Sequence, residues 1–540
     1  MGTDIRNILF IMCDQLRWDY LSCYGHPALQ TPNIDRLAAR GVRFDRAYVQ
    51  SPVCCSSRMS FYTGRYMNSH GVTWNNIPLR VGERTLGDYL RPLGVRTALV
   101  GKTHMYTDRE GMAWLGLDPE SEIGTQTAKC GFEPYERDDG LHPVGPAGPY
   151  DSKPAPYNEY LKEQGFDADN PWDDWANAAM DEDGTLKSGW FLRNFVRPAR
   201  VPEEHSETPY TTRRAKEFID EASGRPWCLH LSYIKPHWPY IVPAPYHDMY
   251  GAGDMLPAVR ADAEKENPHP VLGAFHDMRI SKTFSLDEVR EAVIPAYMGL
   301  IKQIDDQIGV LMDFLEERGL METTMIVFTS DHGDYLGDHW LGEKDLFHDC
   351  VSRIPLIVCD PRDQAQAARG TASDDLVEAI DLIPTFLDFF GAPPQPHRLE
   401  GRALTPLLHG ERPAEWRRYV VCESDYAMLP SRRALGIPVS QARLTMIATE
   451  RWKYIHAEGF RPMLYDLAED PQELKDLGDD NSHEEGRRDL SEMHFEWARR
   501  LSQRVTKSDA EIEAMAGVNA RRGILLGFWD ESELPPELRK

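Results

Sequence analysis

The sequence contains no apolar run long enough to cross a membrane. A spanning helix needs about 20 consecutive apolar residues, and every apolar run here is far shorter. Residues 1–15 do not read as a secretory signal, because their apolar stretch is short and leads directly into a strand-like pattern. Arg6 stands where a myristoylation signal needs Ser or Thr. We therefore expect a protein that acts in the cytoplasm, with no membrane partner.

Positive charge is also scarce. The chain has 60 Lys and Arg residues against 86 Asp and Glu residues, a formal net charge of −26. Nonspecific nucleic-acid binding needs a basic face to meet the phosphate backbone, so no nucleic-acid partner is expected. A small anionic substrate would need a local island of positive charge.

The cysteines lack a disulfide or zinc pattern. There are nine, an odd number, and no two pairs have zinc-like spacing. This favours a reducing compartment. Cys54 and Cys55 are adjacent, which makes them poor disulfide partners, and a Ser-Ser-Arg sequence follows them. Their position therefore needs another explanation.

Short apolar runs alternate with helical patterns along most of the chain. Runs that are apolar throughout suit strands buried on both faces, as in a parallel sheet. Residues 291–318 carry the clearest helical repeat, with Gly319 after its last turn. The alternation predicts an α/β fold with a mixed or parallel sheet sandwiched by helices. The strand-like runs are 7–15, 96–104, 228–237, 325–333 and 355–360.

Polar residues follow four of these runs, and parallel strands bring their carboxyl ends to one edge, where ligands bind. These residues are Asp14, Gln15, Lys102, His104, His237, Asp331 and His332. Two carboxylates, an amide oxygen and an imidazole form a plausible set of ligands for one divalent metal, calcium or manganese. The cationic residues, with Arg58 and Lys344, could surround an anion.

Cys54 and Arg58 are four residues apart at the start of a predicted helix, so they share one helix face. A helix N-terminus favours an anion, and a cationic neighbour stabilises a thiolate. The chemistry alone permits a thiolate nucleophile, a redox cysteine or a group made from cysteine.

The remaining organisation is predicted as one large and two small parts. Residues 1–415 form the catalytic domain, 416–480 a smaller antiparallel sheet, and 481–540 a charged helix and a tail. Long insertions at 136–190 and 239–283 are expected to shape the pocket. The apolar segment 523–529 either folds back or docks on a second copy, so a homo-oligomer, a dimer or tetramer, is expected.

The stretch "TPNIDRLAARGVRFDRAYVQSPVCCSSRMSFYTGR" at 31–65 resembles the signature of the type I sulfatases, in the alkaline phosphatase superfamily. Their motif is Cys-X-Pro/Ala-Ser-Arg followed by Thr-Gly-Arg, and here Ser56 replaces the Pro or Ala. Further elements occur in the family's order over roughly residues 5–410: "NILFIMCDQ", "GKTHM", "PHWPY" and "TSDHGDYLGDHW", with Lys344 following.

The resemblance implies a mechanism. A maturation enzyme would oxidise Cys54 to formylglycine, and one hydroxyl of its hydrate, bound to the metal near Asp331, would attack the sulfur of a sulfate ester. Arg58, Lys102 and Lys344 would hold the nonbridging oxygens. His237, assisted by Lys344, would protonate the leaving group, and His104 would take the proton that releases sulfate.

Two branches of the family are combined in this chain. Gln15, and Asn75 as a substrate-binding residue, resemble the bacterial phosphonate monoester hydrolases, whereas Lys102 and His104 are similar to typical arylsulfatases. The function implied is an arylsulfatase with side activity on phosphonate monoesters and phosphodiesters. The alternatives are a phosphonate monoester hydrolase or phosphodiesterase that uses the same site and, from another class, a catalytically silent binding protein.

Overall fold

The computed structural model describes residues 6–140, 154–222, 224–501, 505–516 and 527–536. Part of the predicted insertion at 136–190 and most of the apolar segment 523–529 lie outside these residues. Within them, the strands are β1 (Asn7–Asp14), β2 (Val42–Tyr48), β3 (Arg96–Gly101), β4 (Glu133–Arg137), β5 (Ala178–Met180), β6 (Leu186–Ser188), β7 (Trp227–Pro236), β8 (Thr324–Ser330), β9 (Arg353–Cys359), β10 (Thr371–Ser373), β11 (Val377–Glu378), β12 (Val420–Asp425), β13 (Arg443–Ala448), β14 (Trp452–Ala457) and β15 (Met463–Asp466).

The α-helices of the same ranges cover both faces of the main sheet and the chain ends. They are α1 (Pro32–Arg40), α2 (Cys54–Thr63), α3 (Met67–His70), α4 (Leu86–Leu90), α5 (Arg109–Trp114), α6 (Glu122–Thr127), α7 (Pro156–Glu163), α8 (Glu207–Glu221), α9 (Pro270–His276), α10 (Arg279–Phe284), α11 (Asp287–Glu317), α12 (Asp349–Ser352), α13 (Leu382–Phe389), α14 (Thr405–Leu408), α15 (Pro430–Leu435), α16 (Glu484–Arg500) and α17 (Asp509–Met515). Among the described residues, no helix is both long and apolar enough to cross a membrane.

The main sheet is mixed, and its strands follow the order β10-β2-β9-β8-β1-β7-β3-β4, with β11 also paired to β2. Strand β1 pairs in parallel with both β7 and β8, and β3 is parallel to β7. Strand β9 is antiparallel to both of its neighbours. The run at 355–360 therefore ends at the edge opposite to the one where the other four predicted runs end.

Both faces of the central strands are buried, as their continuous apolar runs predict. Alternate side chains of a strand point to opposite faces. In β1, Phe10 and Met12 belong to one hydrophobic cluster, and Leu9 and Ile11 belong to another. The long helix α11 packs into the second cluster through its predicted apolar stripe. The prediction of an α/β sheet sandwiched by helices is confirmed.

The smaller sheet, β12-β13-β14-β15, is antiparallel throughout. It lies within the predicted segment 416–480 and is not packed as a separate body. Cys422 and Met446 share a hydrophobic cluster with Phe10 of the main sheet. Helix α16 covers the other face through Leu490 and Trp497. The division into domains stays a prediction.

The described parts of the two predicted insertions contain regular structure. Helix α7 and the β5–β6 hairpin lie in the first, and α9 and α10 lie in the second. These two short helices have seven and six residues. A helix of fewer than two turns cannot show a clear 3.6-residue repeat, so the sequence pattern did not reveal them.

Gly101 is a point where two strands come too close for a side chain. It has φ +100°, and a Cβ there would lie 2.0 Å from the carbonyl oxygen of Ser232 on β7. Gly94 has a similar φ of +78°, but a Cβ there would meet nothing within 4 Å. Of these two glycines, only Gly101 combines the positive φ with a close approach.

We expect Gly101→Ala to destabilise the protein much more than Gly94→Ala. The left-handed backbone alone costs about 1–2 kcal/mol for a non-glycine residue, and overpacking adds about 1–3 kcal/mol at Gly101. Urea denaturation followed by intrinsic fluorescence measures the difference. Equal midpoint shifts in the two variants would show that the approach to Ser232 is not a constraint.

Candidate active site

Four adjacent parallel strands, β8, β1, β7 and β3, end at the same edge of the sheet. The residues at or just after these ends are Asp331 and His332, then Asp14 and Gln15, then His237, then Lys102 and His104. The sheet thus gathers groups that are up to 318 positions apart on one edge. This follows from strand order and direction.

Helix α2 begins at Cys54, directly above this edge, and all ten of its residues are buried. The Cys54 Sγ atom lies 3.0 Å from His332 Nε2, 3.0 Å from Lys344 Nζ and 3.8 Å from Asp14 Oδ1. The N-terminus of α2 adds its free amides and the positive end of its dipole. Cys54 is therefore the point on which the charged groups converge.

Arg58 lies one turn further along α2 and is fully buried. Its Nε donates to Asp331 Oδ2 at 2.7 Å, and its two terminal nitrogens donate to Asp14 Oδ2 at 3.3 Å, to the Lys102 carbonyl at 2.9 Å and to Ser232 Oγ at 2.8 Å. A guanidinium engaged in this way positions two carboxylates. The contact of Arg58 with nonbridging oxygens stays a prediction.

The donors fit a single divalent cation. One ligand atom from each of Asp14, Cys54, Asp331 and His332 lies within 4.8 Å of all the others. The His332 Nδ1–H donates to the Gly333 carbonyl at 2.8 Å, which directs Nε2 toward Cys54 and the other candidate ligands, the usual orientation of a histidine ligand. Two carboxylates and one imidazole suit calcium or manganese.

Gln15 is held in a strained backbone conformation, with φ +65°. Its amide nitrogen donates to Tyr240 OH at 3.2 Å and to Asp334. Its Oε1 accepts from Lys344 Nζ at 3.1 Å. The amide is thereby oriented with its oxygen toward the site, as a metal ligand requires.

The site is rich in cations relative to its carboxylates. Lys102 Nζ contacts Asp14 Oδ2. Burial opposes ionisation of Asp14, but Lys102, His237 and Arg58 together hold its pKa well below its ordinary value. Burial disfavours the Lys102 ammonium too, yet Asp14 outweighs it and raises the pKa of Lys102. The site therefore has three cations, Arg58, Lys102 and Lys344, against two carboxylates, Asp14 and Asp331. This balance leaves room for a bound metal and an anion.

The environment of both predicted acid–base histidines disfavours their charged form. Burial, reinforced by Lys344 for His237 and by Lys102 for His104, lowers the pKa of each well below its ordinary value. His237 Nδ1 donates to the Trp238 carbonyl at 2.7 Å, and its Nε2 lies 3.4 Å from Lys344 Nζ. Among the described residues, His104 Nδ1 is buried and has no partner.

Asn75 comes after α2 in the chain, and its side chain contacts the N-terminal end of that helix. Its Oδ1 accepts a hydrogen bond from the Cys55 amide at 3.1 Å, which satisfies one of the free donors at the helix N-terminus. The geometry thus shows Asn75 bracing the residue next to Cys54, and its predicted contact with substrate stays a prediction.

Several residues that shape the site were not identified from the sequence. Asp334 and Tyr240 orient Gln15, and Ser232 binds Arg58. Asp139 accepts from the amides of Thr103 and His104 at 2.7 and 2.8 Å, and His104 has a φ of +55°. Of these residues, only Asp334 could have been identified as part of the site from the sequence, because it follows the predicted Asp331-His332 pair by two positions.

Comparison with known proteins places the chain among sulfatases. The family model described as "Sulfatase" matches residues 6–392, and the model described as "N-sulphoglucosamine sulphohydrolase, C-terminal" matches residues 337–499. The multifunctional alkaline phosphatase superfamily protein PehA of Trinickia caryophylli is 30% identical over 91% of this chain and 95% of its own length. An arylsulfatase of Clostridium perfringens is 28% identical over 89% of this chain and 91% of its own.

Comparison with solved structures gives the same result as the sequence comparison. The structure of a phosphonate monoester hydrolase from Silicibacter pomeroyi has a TM-score of 0.79 and 27% identity, covering 92% of this chain and 95% of that one. The similarity therefore spans both sheets.

We expect Tyr240→Phe to weaken metal binding by roughly 10-fold, the lower end for the loss of a group that orients a ligand, because Gln15 loses one of its two amide partners. Isothermal titration of the metal-stripped protein with manganese measures this. Tyr233→Phe is the matched control, since Tyr233 is equally buried and its hydroxyl bonds Thr212 instead. Unchanged affinity in Tyr240→Phe would exclude Gln15 as an oriented ligand.

Proposed function

Because the chain belongs to the sulfatase family of the alkaline phosphatase superfamily, we propose that it hydrolyses aryl sulfate monoesters through Cys54 matured to formylglycine. The observation that carries this proposal is the convergence of charged groups on Cys54 at the N-terminus of α2. Lys344 Nζ is 3.0 Å from Cys54 Sγ, and Lys102 reaches it through Asp14.

The charge distribution favours a sulfate ester over a phosphonate ester. A sulfate monoester presents three nonbridging oxygens, each of which can accept from a cation. A phosphonate monoester presents two, together with a carbon substituent that would lie among Lys102, Lys344 and His104. Burying an apolar group against charges forfeits their solvation without replacing it.

The bound metal, calcium or manganese, would supply Lewis-acid polarisation, and the hydrated aldehyde at position 54 would supply the nucleophilic hydroxyl. Asp14, Gln15, Asp331 and His332 would hold the metal. Arg58 keeps the two carboxylates in place. Lys102 and Lys344 bind the nonbridging oxygens, whose charge they match.

His237, assisted by Lys344, would protonate the leaving group, and to do so its Nε2 must first take up a proton once the anionic ester is bound. The neutral His237 has Nδ1–H fixed on the Trp238 carbonyl, so only Nε2 is available, and it faces Lys344 Nζ at 3.4 Å. His104, neutral and with a free Nδ1, is in the form required of a general base.

The aromatic rings next to His237 fit an aryl leaving group. The Trp238 ring centroid lies 4.3 Å from that of His237, and the Trp190 ring lies 5.4 Å from that of Trp238. Trp190 is 41% exposed. A flat group released at His237 would therefore meet an aromatic wall that leads to solvent.

A phosphonate monoester hydrolase is the second candidate, favoured by one observation. Gln15, held by Tyr240 and Asp334, stands where many sulfatases carry an aspartate, and in this it resembles the phosphonate monoester hydrolases. An amide in place of a carboxylate would leave the metal position with one negative charge fewer. The silent binding protein has no such support, because each predicted catalytic group has a competent neighbour.

The partners implied are a small anionic ester and an enzyme that matures Cys54. A homo-oligomer and a cytoplasmic location remain predictions, the first from the apolar segment 523–529 and the second from the cysteine content.

Tandem mass spectrometry of the tryptic peptide 47–58 tests the nucleophile. We expect the formylglycine mass at position 54 in protein from its native host, with Cys55 unmodified. Cys54→Ala should lower kcat at least 10⁴-fold, since the nucleophile is lost, and Cys55→Ala is the matched control. Two unmodified cysteines, or substantial activity in Cys54→Ala, would contradict the proposal.

Substrate preference is tested with two esters of one phenol. We expect kcat/KM for 4-nitrophenyl sulfate to exceed that for 4-nitrophenyl phenylphosphonate by about 10-fold or more, the effect of one mismatched polar contact of roughly 1.4 kcal/mol. Assays after chelation and re-addition of calcium or manganese identify the metal. A reversed preference would establish the phosphonate activity instead.

A further inference from the structure

The backbone on both sides of Lys344 has an unusual conformation. Glu343 has φ +64° and Asp345 has φ +92°, and neither is a glycine. A positive φ brings the Cβ of a non-glycine residue too close to its own backbone. Such conformations persist only where the surrounding structure holds them, and they occur mostly at functional sites. Lys344 therefore lies on a segment that needs external support.

Two residues of the smaller sheet provide that support from outside the main sheet. Ser424, on β12, donates its hydroxyl to the Asp345 carbonyl at 2.9 Å. Lys453, on β14, donates to the Phe347 carbonyl at 2.8 Å. Both side chains are at least 99% buried. The smaller sheet thus holds the segment directly after Lys344 at two backbone positions.

A buried ion network extends the same attachment. Lys453 Nζ donates to Asp349 Oδ1 at 2.7 Å and lies 2.5 Å from Glu473 Oε1, as a close ion pair without hydrogen-bond alignment. Glu473 Oε2 in turn accepts from the Asp349 amide at 2.7 Å. Breaking a buried pair on one side is costly, so this network resists any movement of residues 345–349 relative to the sheet.

We propose that the smaller C-terminal sheet is a positioning element for Lys344, acting through Ser424 on Asp345 and through Lys453 on Phe347 and Asp349. Lys344 Nζ contacts Cys54 Sγ at 3.0 Å, Gln15 Oε1 at 3.1 Å and His237 Nε2 at 3.4 Å. Relaxation of its backbone would lengthen all three contacts. The inference rests on hydrolysis at the proposed site, whichever ester is the substrate.

Ser424→Ala is the test variant, and Ser431→Ala is its matched control. Both serines are 1% exposed, Ser424 in β12 and Ser431 in α15, the helix that follows β12 in the chain. Ser431 Oγ has no hydrogen-bond partner among the described residues, whereas Ser424 Oγ binds the Asp345 carbonyl. Lys453→Met would leave the buried carboxylates of Asp349 and Glu473 without their cation. It therefore serves only as a second variant, and only if the protein is soluble and its circular dichroism spectrum matches that of the wild type.

The readout is the dependence on the leaving group, measured as kcat/KM for the 4-nitrophenyl and phenyl esters of one acid. Phenolate is the poorer leaving group and depends more on protonation by His237 and Lys344. We expect Ser424→Ala to lose about 10-fold on the phenyl ester, which is less than the 10²–10⁴-fold contribution of a complete general acid, and much less on the 4-nitrophenyl ester. Ser431→Ala should leave both values and their ratio unchanged.

Two results would overturn the inference. An equal loss on both esters in Ser424→Ala would mean that the sheet only stabilises the fold. A Ser424→Ala enzyme that matches Ser431→Ala would mean that the contact with Asp345 has no effect. A wild-type preference for phosphonate esters would refute the sulfate proposal alone, because the same ratio is then measured on phosphonate esters.

Discussion

The burial of one guanidinium determines the architecture of this site. Arg58 has no access to solvent, and an unpaired buried charge costs several kcal/mol. Its nitrogens are satisfied by one group from each of the four central strands or the residue following it: Asp14 on β1, Ser232 on β7, the Lys102 carbonyl after β3 and Asp331 after β8. The helix that carries Arg58 is thereby locked to all four strand ends, and Cys54, one turn earlier, is fixed above them.

This arrangement explains why the site can hold so many charges in a protein with a large acidic excess. The carboxylates are shared between Arg58 and the metal position, so they do not cancel Lys102 and Lys344 completely. Burial strengthens every one of these interactions, because there is little water to screen them. The acidic surface therefore does not determine the charge that a bound ester would meet.

Much of the fold and part of the site could be predicted from the sequence. Continuous apolar runs followed by Asp14, Lys102, His237 and Asp331 were sufficient, because parallel strands bring their ends together whatever their separation in sequence. The structure confirmed the α/β architecture, and comparison with known proteins confirmed the family. Strand β9 is antiparallel, however, and nothing in the run at 355–360 indicated its direction.

The roles of individual side chains were harder to predict. The sequence shows that Arg58 is positively charged but not that it binds Asp14 and Asp331, so its bracing of the two carboxylates was not predicted. Tyr240 and Asp139 act on residues far from them in the chain, Gln15 and His104 respectively. Such contacts depend on tertiary packing, which no local pattern records.

Gln15 resembles the phosphonate monoester hydrolases and Lys102 resembles the arylsulfatases, and contacts within the site connect these two residues. Gln15 is predicted to bind the metal and Lys102 the substrate, but Lys102 contacts Asp14, the residue directly before Gln15 and itself a metal ligand candidate. A change at position 102 would therefore alter the charge on Asp14 as well as the contact with the substrate. Gln15 is likewise bonded to Lys344, which links the metal side to the leaving-group side. Substrate preference in this site is thus a property of the connected charge network, and replacing one residue with its counterpart from the other branch would change metal binding and ester recognition together.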